Sequence, residues 1–98
     1  MTTTAKIFKF PMRLDQTTLL MTLPYGFQVL AVDSNYMYGM HLGDPSNLVS
    51  REFRVVIAGD TVDPSWVFVG SADYGSLKTF IFEDPTETKV LTTTRTLV

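Results

Sequence analysis

Apolar and polar residues alternate with a period of two along most of this chain, the spacing of a half-buried strand and not of a helix. Residues 6–12 put Phe8, Phe10 and Met12 on one face. Pro11 has no amide hydrogen, so this strand is an edge or ends there. Residues 17–23 set Leu19, Met21 and Leu23 against Leu20. Pro24-Tyr25-Gly26 then closes the strand, because proline presets φ and glycine admits φ above zero. Residues 27–33 are almost continuously apolar, with Phe27, Val29 and Ala31 against Leu30 and Val32. That pattern predicts a central strand covered on both faces. After an Asp33-Ser34-Asn35 turn, residues 36–42 align Tyr36, Tyr38, Met40 and Leu42.

The second half repeats the pattern. Residues 51–58 place Phe53, Val55 and Ile57 opposite Glu52, Arg54 and Val56. Residues 66–71 place Trp66, Phe68 and Gly70 opposite Val67 and Val69, and residues 77–83 place Leu77, Thr79 and Ile81 opposite Phe80 and Phe82. Loops fall at Gly43-Asp44-Pro45-Ser46-Asn47, at 59–64 and at Asp73-Tyr74-Gly75-Ser76, all rich in turn formers. The expected fold is all-β: an antiparallel meander of about seven strands forming a small sandwich or a partly open barrel. The expected core is Phe8, Phe10, Val29, Phe53, Val55, Trp66, Phe68 and Phe80. Residues 1–84 read as a single β domain. Residues 85–98 form a threonine-rich tail, frayed or added as a further strand to this or another subunit. Strands 27–32 and 77–82, apolar on both faces, predict a two-fold dimer through Leu30, Val32, Phe80 or Phe82. A closed monomeric barrel would bury the same residues.

Composition strengthens the β assignment. Thr, Val, Ile, Phe, Tyr and Trp make up 39 of the 98 residues, while alanine occurs four times and glutamate three. Good helix formers are therefore scarce, and helix is limited to one turn near 45–49 or 63–66. The absence of cysteine excludes disulfides, thiolate metal sites and cysteine nucleophiles. A formal charge of -2 with pI about 5.1 disfavours a broad grip on nucleic acid. No apolar run approaches the roughly 20 residues that span a bilayer. The chain start lacks the apolar core of a signal peptide. The expected setting is the cytoplasm, that of the host cell if the chain is phage-encoded.

Chemistry-bearing motifs are sparse. His41 is the one histidine, with Asp44 nearby, whereas zinc takes three or four protein ligands. A strand residue on the polar face is the expectation for it. Asp60, Asp63 and Asp73 sit in turns, where carboxylates serve as Asx-turn residues. No serine elbow, phosphate loop or dinucleotide fingerprint is present. The chain is expected to be non-enzymatic, with no cofactor and no metal. Binding candidates are of two kinds. Lys6, Lys9, Arg13, Arg51 and Arg54 would gather with Phe8, Tyr36 and Tyr38 into a nucleotide pocket or single-strand platform if the first and fifth strands approached. Without a basic stripe, solvated strand faces are the simpler reading. Tyr25 and Tyr74 stand in loops beside glycine, where aromatic residues offer contact area to a protein partner.

Strung together, several segments carry a resemblance. They are Lys9-Phe10-Pro11, Leu23-Pro24-Tyr25-Gly26-Phe27, Val29-Leu30-Ala31-Val32, Ser34-Asn35-Tyr36, Gly43-Asp44-Pro45, Arg51-Glu52-Phe53-Arg54-Val55, Gly59-Asp60, Phe68-Val69-Gly70-Ser71 and Leu77-Lys78-Thr79-Phe80-Ile81-Phe82-Glu83. In this order they resemble a family of small β-rich proteins carried by bacteriophages and prophages, over about residues 6–84. Tyr38 stands where that family often has tryptophan, and Gly59-Asp60-Thr61 replaces its Gly-Thr-Gly. The resemblance implies a phage-type origin and a β fold, and it brings no catalytic residue. The expected function is non-catalytic binding of a host protein or defence component. The alternatives are a homo-oligomeric sponge for a nucleotide-like ligand and a minor virion or assembly component.

Overall fold

The computed structural model describes residues 4–43 and 45–90, with side chains described as far as Pro85. Seven strands follow in order: β1 (Ala5–Pro11), β2 (Thr18–Pro24), β3 (Gln28–Val32), β4 (Tyr36–Leu42), β5 (Leu48–Val56), β6 (Val67–Tyr74) and β7 (Leu77–Val90). No helix occurs among the described residues. All pairings are antiparallel and fall into two sheets, which we call A (β1-β4-β3) and B (β2-β5-β7-β6). The sheets do not close on each other, so the fold is the sandwich and not the barrel. Periodicity does not encode the connectivity: only β3–β4 and β6–β7 are neighbours in both chain and sheet, β5 and β6 share sheet B with β7 between them, and the chain changes sheet at the other three connections.

The core is the two inner faces. Leu19, Met21 and Leu23 of β2, Met37 of β4, Phe53 and Val55 of β5, Ala72 of β6 and Ile81 of β7 are buried together with Met12, Leu14 and Phe27. Phe8, Phe10, Val29, Val32 and Val69 pack against them. Phe10 meets the Phe27 ring edge to face, with centroids 5.3 Å apart. Gly39 makes room for that ring, since a Cβ there would collide with Phe27 Cζ and the Gln28 carbonyl.

Three expected core residues, Trp66, Phe68 and Phe80, lie outside the buried core. The β6–β7 ladder shifts register between Phe68 and Gly70. A bulge of this kind adds a residue and reverses the in–out alternation beyond it. Phe68 consequently lies outside, paired with Phe82 and stacked edge to face on it at 5.4 Å. Trp66 precedes the strand and is only half-buried, as is Phe80. A second bulge separates Val29 from Ala31. It brings Val32 to the core and leaves Leu30 exposed. β3 is an edge strand of sheet A and not the central strand its apolar run suggests. β7 continues across Pro85 to Val90, pairing Val90 with Val49. Residues 91–98 of the expected tail lie outside the described residues, as does Asp44 of the His41–Asp44 pair.

Candidate functional site

β5 sends Val49, Arg51, Phe53 and Val55 to the inner face, because alternate residues of a strand share a side. An arginine at this position enters an apolar interior and requires partners. Glu83 supplies them from the inner face of β7. Arg51 Nε donates to Glu83 Oε2 at 2.7 Å and Nη2 donates to Oε1 at 2.6 Å. Arg51 Nη1 donates to the Phe27 carbonyl, also at 2.7 Å. The guanidinium carbon stands 5.6 Å from the Phe53 ring centroid. Side-chain exposure is 16% for Arg51 and 14% for Glu83. All three guanidinium nitrogens are thus engaged. This planar, two-pronged geometry is what arginine supplies and lysine does not. The pair also ties sheet B to the chain entering β3 of sheet A.

Above this pair the sandwich opens into a groove of about 620 Å³. Phe27, Val29, Val49 and Val69 form its walls, with Arg51 and Glu83 at the base. Its rim is exposed and apolar: Tyr25 is 64% exposed, Phe68 57% and Val67 56%. Tyr25 is held by its backbone. Its N–H donates to the Asn47 carbonyl at 2.7 Å, and its carbonyl lies 2.8 Å from His41 Nε2. A carbonyl only accepts, so Nε2 carries the hydrogen. His41 is therefore buried on the inner face of β4 with Met37 and Gly39, and not on the polar face its sequence context suggested. Its Nδ1 has no hydrogen-bond partner among the described residues.

The other binding candidates do not join this groove. Lys9 lies on the outer face of sheet A, its ammonium 4.4 Å from the Tyr36 ring centroid. Tyr38 is beside them, with ring centroids 6.2 Å apart. The Tyr38 hydroxyl donates to Asp33 Oδ2 at 2.7 Å, while the Asn35 and Tyr36 amides donate to Asp33 Oδ1 at 2.8 Å. These donors, led by the Asn35 amide, hold the Asp33 carboxyl below its usual range, and the carboxylate pushes the Tyr38 hydroxyl up. Arg54 lies on the outer face of sheet B, paired with Glu52 and, at 3.8 Å, with Asp84. Its guanidinium carbon is 5.2 Å from the Trp66 ring centroid. Tyr74 closes β6 at the far end of the sandwich, facing Leu77. β1 pairs with β4 and not with β5. Lys9, Arg51 and Arg54 therefore stand on three different faces and form no common cradle for a phosphate.

Of the sequence candidates, Tyr25 and Arg51 meet at the groove. Glu83, Phe27 and Val67 belong to it and were not among the binding candidates, and His41, expected on a polar strand face, supports Tyr25 from the interior. No cluster of three or more His, Asp or Glu positioned to hold a metal occurs among the described residues. No helix among them is long and apolar enough to cross a membrane. No family model, curated protein or solved structure matches the chain. The likeness to phage proteins rests on the segments quoted above.

Proposed function

We propose that the chain is a non-catalytic binding protein that takes an apolar segment of a partner protein into the groove between β3 and β6. One observation carries this reading. The charges in the groove are neutralised by each other, Arg51 against Glu83, while its other lining side chains, Gln28 excepted, are apolar or aromatic. A site of this composition offers a charged ligand no free counter-charge, and it offers an aromatic or aliphatic anchor a desolvated slot. The resemblance to phage proteins supports a host protein or defence component as the partner, met in the host cytoplasm.

The test is a capture experiment from host lysate with quantitative mass spectrometry, using the wild type beside Tyr25→Ala and Phe68→Ala. Both side chains are largely exposed, so neither change should disturb folding. A partner held by wild type and lost at least tenfold from both variants supports the groove. A partner retained equally by all three proteins removes it.

A further inference from the structure

Among the described residues, each sheet leaves two strands with an open edge: β1 and β3 in sheet A, β2 and β6 in sheet B. Exposed edges invite pairing with another chain, and proteins blunt them with bulges, lysines and prolines. β3 and β6 each carry a bulge. β1 carries Lys6 and Lys9 and ends at Pro11. β2 also ends at a proline, Pro24, but carries no lysine and no bulge. Thr18-Leu19-Leu20-Met21-Thr22-Leu23 bears no charge, its ladder with β5 has no register shift, and proline comes only at its last residue. Leu20 on its outer face is 69% exposed.

The hydrogen-bond parity of β2 can be read from its two ends. Val55 N donates to the Thr17 carbonyl at 2.9 Å, and Tyr25 N donates to the Asn47 carbonyl at 2.7 Å. Both pairs continue the β2–β5 register. In an antiparallel ladder, residues of one parity face the partner strand and those of the other face away. Odd residues of β2 therefore bond to β5. Thr18, Leu20 and Thr22 direct their N–H and C=O groups out of the sheet, and Pro24, of the same parity, directs out only its C=O.

We infer that β2 pairs with β2 of a second copy about a two-fold axis at Leu20, joining the two B sheets into one eight-stranded sheet. An antiparallel pair of identical strands is self-complementary by symmetry. In this register Leu20 faces Leu20 of the second copy, and each Thr18 faces a Thr22. Thr18, Leu20 and Thr22 of each strand then exchange both of their hydrogen bonds. Leu–Leu and Thr–Thr pairs across strands are favourable, and no like charges meet. The parity of β1 is fixed by Met12 N donating to the Asn35 carbonyl. It leaves Ala5, Ile7, Lys9 and Pro11 outward, one of them a cation and one without a donor. The contact thus moves from Leu30, Val32, Phe80 and Phe82 to β2, and it does not depend on what the groove holds.

Light scattering after size exclusion, over a concentration series, tests this with designed variants. Wild type should reach twice the 11.0 kDa chain mass. Leu20→Lys and, independently, Thr22→Lys should each weaken the dimer at least tenfold while leaving the circular dichroism spectrum unchanged. The chain has no cysteine, so Leu20→Cys reports proximity cleanly. Directly opposed residues of a hydrogen-bonded pair have Cα atoms about 5.5 Å apart, within reach of a disulfide. Leu20→Cys should cross-link to itself under mild oxidation, and Ile7→Cys on the β1 edge should not. Wild type that stays monomeric at its highest soluble concentration overturns the inference. So does a dimer indifferent to both lysine variants, or one that cross-links equally through Ile7→Cys.

Discussion

On one flank of the sandwich, β3 and β6 close over each other. Both strands bulge, Val32 reaches inward, and Gly70 leaves room for it: a Cβ at Gly70 would sit 2.8 Å from Val32 Cγ2. Ser34 Oγ donates to the Asp73 carbonyl at 2.8 Å, stitching the β3–β4 turn to β6. Towards the other end of the same flank the strands part around Arg51 and Glu83, and the groove appears. On the opposite flank, β1 and β2 are straight, their ladders unbroken over seven residues each. Bulges curve and twist an edge, which protects it from strand addition and shapes a concave surface beside it. A straight edge keeps its backbone groups aligned for a partner strand. One local device, the extra residue in a strand, thus separates a flank that carries a groove from a flank whose edges stay straight.

Both flanks enclose the core that Phe53 of β5 fills, so the largest effect is expected there. Phe53 is fully buried at its centre, and Phe53→Ala should destabilise the protein by about 3–5 kcal/mol, as large-to-small core changes do. A denaturant midpoint unchanged within error would contradict the packing described. The next expectation separates the flanks. Glu83→Gln leaves the Arg51 cation in the interior without its counter-charge, which should cost about 3 kcal/mol. The double change Arg51→Met with Glu83→Leu should recover most of that loss in the same titration. If the single change is silent, the pair does not join the sheets.

Smaller effects follow from the glycines. Gly39→Ala meets both a ring and a backbone carbonyl that cannot move aside, so its cost should lie near the top of the roughly 1–3 kcal/mol range for overpacking. Gly70→Ala meets only the Val32 side chain, and its cost should lie near the bottom of that range. Equal costs would mean that β3 is held onto β6 as rigidly as Phe27 is held in the core.

The smallest effect is on the β3–β4 turn. The Asp33 carboxyl is held below its ordinary value of 3.8 by the Asn35 and Tyr36 amides and the Tyr38 hydroxyl. A depressed folded-state value means that its support is complete above the unfolded value and disappears as pH falls through the folded one. The Asn35 and Tyr36 amide resonances should therefore titrate with a midpoint below 3.8, and Asp33→Asn should abolish that titration. A midpoint at or above 3.8 would show that the turn does not stabilise the carboxylate.

Strict alternation made much of this fold legible. Phe8, Phe10 and Met12, then Leu19, Met21 and Leu23, then Phe53 and Val55 all face inward as their spacing requires. Alternation failed at Phe68 and along β3, because a bulge changes the count by one and leaves no mark in composition. The site was partly legible too. Arg51 and Arg54 are three residues apart on one strand, so they had to face opposite sides. Arg51 shares its parity with Phe53, and Glu83 shares its parity with Ile81. Two opposite charges on inner-facing positions were the available sign of an interior pair. That β5 and β7 would be neighbours is a matter of topology, which local spacing does not carry.

The division of labour between the flanks is tested most directly by amide hydrogen exchange as a function of protein concentration. The outward amides of Thr18, Leu20 and Thr22 should exchange rapidly in dilute solution and become protected as concentration rises. The amides of Val29 and Val67 to Val69 on the groove flank should not change over the same range. Protection that grows on the β3–β6 flank instead, or β2 amides that exchange equally fast at every concentration, would contradict it.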